Sequence, residues 1–351
     1  MNLVVCFKEV PVADYLIERI GQVWQDVDII NVGQDRIAEV LLDADYFCGH
    51  AKVPVDWDKI VSQGRLKWIQ SSAAGMDWCL VPSVINSEIT ITTASGVLAD
   101  QVAEHTLGLI ISWMRNLPVF LDEQHNKQTP DYRKFIRRPT RDLTNSTVGI
   151  VGFGGVGRRL SQVLAPFKTR IIATDLFPES KPPHVAELWG ANRLDDLLDQ
   201  SDIVILCLPL NSATKNLFDK NKFKQMNNTA LFVNVARGQL VVTSDLVDAL
   251  EAGSIAGAVI DVTSPEPLPS ASPLWDFNNV IITPHVAGQF HRRFDNVVDI
   301  FIENIKRYKN GEKLINYLTP EGKKFGFPLR EAGYPLWIDY KENFAANVNN
   351  Q

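Results

Sequence analysis

A chain of 351 residues is long enough for two domains of ordinary size, each with its own buried core. With 45% hydrophobic and 22% charged residues it has a globular composition, and its net charge of −6 supplies no global attraction to nucleic acid or to an anionic membrane. The four cysteines, Cys6, Cys48, Cys79 and Cys207, show no C-x-x-C pair and no metal-ligand spacing, and no apolar run approaches bilayer-spanning length, so a soluble, cytoplasmic, metal-free protein with reduced thiols is expected.

Two strand–helix alternations follow each other along the chain. The N-terminal MNLVVCFKEVP reads as a first strand and not as a signal peptide. Short β-prone runs at Leu3–Phe7, Asp28–Val32, Ala44–Cys48, Leu66–Ile69 and Ile89–Thr93 alternate with helical patterns such as Ala13–Ile20 and Ile37–Leu42. The stretch Leu98–Arg115 is apolar nearly all round, which predicts a buried helix at a domain or subunit interface. A polar stretch then runs from Asp122 to Asn145. Within it, the basic segment 133–141 reads as a solvated connection, with an approach to an anionic substrate as the sharper alternative.

The second alternation has six strand candidates: Thr147–Val151, Arg170–Thr174, Asp202–Cys207, Ala230–Val235, Ile255–Asp261 and Asn279–Thr283. This pattern predicts a doubly wound α/β domain. Its helix Thr243–Glu251 is expected to start on Thr243 or Ser244 as N-cap and to stop before Gly253. Beyond the last strand, Phe294, Val297, Val298, Phe301, Ile302 and Ile305 keep helical spacing until Gly311, a helix that should return the chain to the first domain. The expected layout is two Rossmann-like or flavodoxin-like doubly wound domains separated by a cleft, one from 1–112 with 293–351 and the other from 113–292. The tail after Pro320, rich in aromatics, Gly and Pro, reads as an irregular extension.

The segment Gly152-Phe153-Gly154-Gly155-Val156-Gly157 is G-x-G-x-x-G between a strand and a helical pattern, the context that a dinucleotide-binding turn requires. Gly152 permits the tight turn, Gly154 lets the backbone approach a pyrophosphate, and Gly157 allows close helix–strand packing. The pyrophosphate would meet the N–H groups that open the helix, including those around Gly155 and Val156. Asp175, ending the next strand, would accept hydrogen bonds from the adenosine ribose and repel a 2′-phosphate, which favours NAD over NADP.

Three further strand ends carry Arg237, Glu266 and His285. Singly, each reads equally well as an ordinary loop residue. Together they are what a 2-oxoacid reduction needs: a guanidinium fork for the carboxylate, a histidine to supply a proton, and a carboxylate to orient that histidine.

These segments, with Thr283-Pro284-His285 and Asp261…Glu266-Pro267-Leu268, resemble the signatures of the D-isomer-specific 2-hydroxyacid dehydrogenases over roughly residues 1–318. Ser71-Ser72-Ala73-Ala74-Gly75-Met76-Asp77 resembles that family's substrate-carboxylate loop, and Val102-Ala103-Glu104-His105 the start of its interdomain helix. The resemblance implies Arg237 as substrate-binding arginine, Glu266 as orienting acid and His285 as acid/base. It also implies substrate contacts from the amides of Ala74, Gly75 and Met76, and cofactor contacts from Pro209, Ala236, Asp261 and His285. A homodimer is implied as well.

Gly288-Gln289 departs from the Ser or Thr that many glyoxylate and hydroxypyruvate reductases carry after the histidine. Glu266 disfavours a formate dehydrogenase, and phosphite oxidation stays open. The alternative of another class is an NAD-sensing binding protein of corepressor type, which the three residues do not separate from an enzyme.

Overall fold

The computed structural model of the chain describes residues 1–126, 141–178, 181–329, 335–337 and 339. The chain divides into two compact units, Met1–Leu98 with Phe290–Gln351, and Ala99–Gln289.

In the first unit β1 (Asn2–Cys6), β2 (Asp28–Asn31), β3 (Tyr46–Gly49), β4 (Trp68–Ser71) and β5 (Thr90–Thr92) form a parallel sheet of order β2-β1-β3-β4-β5. Successive strand residues point to opposite faces, so a strand covered on both faces must be apolar throughout. Leu3, Val4, Val5 and Cys6 satisfy this with no exposure at all. Leu3 and Val5 share a core with Leu16 and Ile20 of the helix Asp14–Val23 and with Val297, Val298, Phe301 and Ile305 of the helix Arg293–Asn310. On the other face Val4 and Cys6 meet Ile37, Leu41 and Ile60. The helix Arg293–Asn310 thus packs in the first unit, and it stops at Gly311, whose φ of +69° is the left-handed cap that glycine tolerates.

The tail carries more order than its composition suggests. A helix spans Pro320–Phe325, with the Thr319 hydroxyl accepting from the Gly322 amide at 3.0 Å. Tyr334 and Tyr340 lie outside the described residues.

Among its described residues the second unit holds seven strands where six were expected: β6 (Thr147–Val151), β7 (Arg170–Asp175), β8 (Glu187–Gly190), β9 (Ile203–Leu206), β10 (Leu231–Asn234), β11 (Gly257–Ile260) and β12 (Val280–Ile282). The additional strand, β8, is a four-residue edge strand with no fully buried residue, so it lacks the apolar run that marks the inner strands. The order β12-β11-β10-β9-β6-β7-β8 reverses between β6 and β9, which makes the carboxyl end of β6 the topological switch point.

Two local expectations are corrected. Thr243 does not cap its helix; the N-cap is Val242, and the Thr243 hydroxyl donates instead to the Ser264 carbonyl at 2.9 Å. The helix Ala99–Met114 buries one stripe, Ala99, Ala103, Thr106, Ile110 and Met114, and not its whole circumference. Ala103, Ile110 and Met114 lie in one core with Val148 and Ile150 of β6, which puts the unit division at 98/99 where the sequence suggested 112/113. The later division falls at 289/290, three residues before the expected 292/293. Of the basic segment 133–141, only Arg141 lies among the described residues.

Candidate functional site

The glycine turn stands at the switch point of the second sheet. Gly152 has φ +94°, and a Cβ there would come within 2.9 Å of the Cys207–Leu208 backbone, just ahead of Pro209. At Gly157 a Cβ would sit 2.3 Å from the Gly152 carbonyl oxygen, so the helix Gly155–Leu164 can start this close to its strand only without a side chain. At Gly154, the N-cap, a Cβ would meet nothing within 4 Å. The turn is therefore closed behind and open in front of a helix N-terminus, which fits a pyrophosphate.

Asp175 is tied into this cradle. Its Oδ2 accepts from the Phe153 amide at 2.7 Å and its Oδ1 from the Phe177 amide at 3.0 Å, which leaves one acceptor site on each oxygen for a ribose hydroxyl. The carboxylate anchors the turn, a use that the strand-end position alone did not reveal.

Arg237 follows β10 in a turn built by Asn234. The buried Asn234 side chain accepts from the Ala236 amide at 3.1 Å and donates to the Arg237 carbonyl at 3.0 Å. Arg237 Nη1 donates to the Ala236 carbonyl at 2.8 Å. A Cβ on Gly238 would lie 1.9 Å from the Thr263 carbonyl oxygen, so the arginine turn presses directly on the segment leading to Glu266. The peptide bonds before Pro265 and Pro267 in that segment are cis.

The histidine and the glutamate meet. His285 Nδ1 and Glu266 Oε1 are 2.6 Å apart, and both side chains are more than two-fifths exposed, so the pair faces solvent. With Nδ1–H donated to the carboxylate, Nε2 is the nitrogen left for a ligand. His285 holds φ +55°, a conformation uncommon for a residue with a Cβ.

Asp261 maintains that backbone. It is 1% exposed; its carbonyl accepts from the His285 amide at 2.7 Å, its Oδ1 from Val286 at 2.9 Å and its Oδ2 from Ala287 at 2.9 Å. The Thr283 hydroxyl donates to Oδ1 at 2.5 Å, and His105 Nε2 lies 3.1 Å from that hydroxyl. Asp261, assigned by resemblance to a cofactor contact, thus spends its carboxylate on the histidine loop. Sequence reasoning missed Asn234, whose side chain braces the Arg237 turn from within three residues, and it missed Thr283 and His105, which act across gaps of 22 and 178 positions that spacing does not bridge.

In the first unit the loop after β4 has Ala74 exposed, Gly75 half-buried and the Met76 side chain in the core at 1% exposure. The loop is anchored by the Ser71 hydroxyl, which accepts from the Ala73 amide and donates to the Ala73 carbonyl, each at 3.0 Å. Among the described residues no acceptor takes the amides of Ala74, Gly75 or Met76, which leaves consecutive donors suited to an anion.

Comparisons with known proteins place the chain in a family. The model of the D-isomer specific 2-hydroxyacid dehydrogenase NAD-binding domain matches residues 107–287. A human glyoxylate reductase/hydroxypyruvate reductase is 33% identical over 252 residues, covering 71% of this chain and 76% of the relative. A D-isomer specific 2-hydroxyacid dehydrogenase family protein from Klebsiella pneumoniae, 27% identical, superposes with a TM-score of 0.72 over 92% of this chain and 98% of its own. An NADPH-dependent glyoxylate/hydroxypyruvate reductase from Sinorhizobium meliloti, solved with NADP and sulfate, shares the fold at 22% identity and a TM-score of 0.75, over 92% of this chain and all of its own. Matched over more than half its length by the family's nucleotide-domain model, the chain belongs to the D-isomer specific 2-hydroxyacid dehydrogenase family, oxidoreductases that interconvert 2-oxoacids and 2-hydroxyacids.

Proposed function

We propose that this enzyme reduces a 2-oxoacid to the D-2-hydroxyacid, or runs the reverse reaction, with His285 as the acid/base. The observation that carries the reading is the 2.6 Å contact between His285 Nδ1 and Glu266 Oε1. A nicotinamide, when bound, supplies or accepts the hydride. In the reductive direction the Nε2 proton of His285 passes to the substrate carbonyl oxygen, while Glu266 keeps the Nδ1 proton and stabilises the imidazolium before transfer. Arg237 grips the substrate carboxylate through its planar fork and draws electron density from the adjacent carbonyl. In the first unit, the amides of Ala74, Gly75 and Met76 offer consecutive donors suited to a substrate carboxylate.

Gly152, Gly154, Gly155, Val156 and Gly157 cradle the pyrophosphate, and Pro209 and Ala236 complete the nucleotide contacts, while Asp261 acts by holding the histidine loop. We assign NAD(H) in preference to NADP(H) on Asp175, since a carboxylate at the ribose repels a 2′-phosphate. The absence of disulfides among four free thiols supports a reducing, cytoplasmic compartment. The family likeness supports a homodimer.

The test is NADH oxidation over 2-oxoacids of graded size and charge, with His285→Ala beside the wild type. Loss of on the order of 10²–10⁴-fold in kcat is expected, the usual worth of a general acid. Near-normal turnover of the variant on every accepted substrate refutes the assignment.

A further inference from the structure

Arg293 opens the long helix Arg293–Asn310 of the first unit. Its Nε is sealed from solvent and has no hydrogen-bond partner, and among the described residues no carboxylate lies within ion-pair distance of its guanidinium. Burial alone pulls its pKa below the ordinary arginine value, with no anion to offset the effect. A guanidinium stays charged in proteins, so it cannot escape this desolvation by losing its proton.

The surroundings add to the mismatch. The positive end of a helix dipole disfavours a cation in the first turn. No side chain caps this helix, and exposed His291 and Arg292 precede Arg293 directly. The nearest acid in sequence, Asp295, is already engaged by the Tyr15 hydroxyl at 3.1 Å and by Arg19 at 3.4 Å. Among the described residues the compensating contact is the Phe294 ring, 5.7 Å from the guanidinium carbon. A partly buried, permanently charged and unpaired group of this kind is costly unless an anion completes it.

Its place in the fold says which anion. Phe294 stacks on Phe7, the residue after β1, with ring centroids 5.3 Å apart. The N-terminal end of the helix therefore stands at the carboxyl edge of the first sheet. The Ala74–Met76 loop follows β4 at that same edge, and the Ala73 carbonyl accepts from the Ala94 amide at 3.1 Å. Ala94 belongs to the apolar cluster against which Phe294 packs. Ligands of parallel sheets bind outside this edge.

We propose that Arg293 receives a second anionic group of the substrate, a carboxylate or phosphate on the carbons beyond the 2-oxoacid end, so that the preferred substrates are doubly anionic. This rests on the reading that the Ala74–Met76 loop holds the 2-oxoacid carboxylate. Guanidinium suits either group, since both offer paired oxygens to its fork.

The experiment compares kcat/KM with NADH for pyruvate and glyoxylate against oxaloacetate and 2-oxoglutarate, and against 3-phosphohydroxypyruvate. It uses the wild type, Arg293→Lys and Arg293→Gln, with melting temperatures and NADH dissociation constants alongside. The wild type should favour at least one dianion over the monoanions. Arg293→Gln should cut that ratio by about 30-fold or more, the loss expected when a desolvated charge pair is broken. Arg293→Lys should retain part of the ratio. Which dianions respond separates a carboxylate site from a phosphate site.

A wild type that reduces monoanions at least as well as every dianion overturns the proposal and leaves the reductase reading intact, whether or not the variants fold. So does a ratio unchanged in Arg293→Gln, or a Gln variant whose only defect is weaker NADH binding. If no 2-oxoacid is reduced at all, the reading beneath the proposal fails, and the proposal fails with it.

Discussion

Asp175, at the end of β7, accepts the backbone N–H of Phe153 through Oδ2 at 2.7 Å, so the carboxylate proposed to meet the ribose also fixes the glycine turn. The two roles separate by substitution. Asp175→Asn keeps an acceptor for Phe153 but removes the charge. It should raise the NADPH:NADH ratio of kcat/KM by about ten-fold or more, since a like-charge contact of a few ångströms near a surface is worth about 1–4 kcal/mol. Asp175→Ala also orphans the Phe153 amide and should lower the melting temperature further than Asn does. A wild-type preference for NADPH, measured first, would refute the charge argument outright.

His105 sits 178 positions before Thr283, and its Nε2 lies 3.1 Å from the Thr283 hydroxyl. That hydroxyl gives its hydrogen to Asp261, so it can only accept from His105, which fixes the imidazole with Nε2 protonated. His105→Leu leaves the threonine without its donor and loosens the carboxylate that holds the Val286 and Ala287 amides. The expected cost is about 1–3 kcal/mol of stability. A several-fold fall in kcat at little-changed KM should accompany it, because His285 moves with the loop. Gln, which can reach as a donor, should recover part of kcat. Steady-state kinetics beside thermal melts decide between this and a purely structural contact, for which melting temperature alone would change.

The thiols offer a test of the cores. Burial, with Asp35 and Glu9 adding, pushes Cys6 up from 9.0 to about 11. Burial pushes Cys207 up to about 12 and Cys48 and Cys79 well above their ordinary value. A raised pKa in the folded state contributes stability below the unfolded pKa, and that contribution is lost as pH rises through the folded value. Denaturant midpoints should therefore fall between about pH 9 and 12, with little change from these groups below pH 9. Ellman-type titration at neutral pH should find the four thiols slow in the native protein and fast after unfolding.

Much of this architecture is legible before any coordinates. Leu3–Cys6 reads as a strand from its short apolar run and the charges and Pro11 that follow, and the structure buries it on both faces of the sheet. The spacing of Gly152, Gly154 and Gly157 reports steric demands made within a few residues, which local sequence records faithfully. By the same logic strand ends nominated Arg237, Glu266 and His285, since a parallel sheet presents its ligand-facing residues at one edge. Where local demands were weak the reading failed: β8 is short and half-exposed, and Thr243 chose the Ser264 carbonyl over its own helix.

The glycine turn, the alternation of strands and helices and the strand-end chemistry are properties of the sequence by itself. Only the tertiary structure decided that Glu266 meets Nδ1 of His285, that Asp261 and His105 support the histidine loop, and that no carboxylate among the described residues pairs with Arg293. Each depends on groups that packing brings together, or keeps apart, from distant positions. Backbone sterics and apolar periodicity are written locally, whereas the pairing of buried polar groups is settled only when the whole chain has packed.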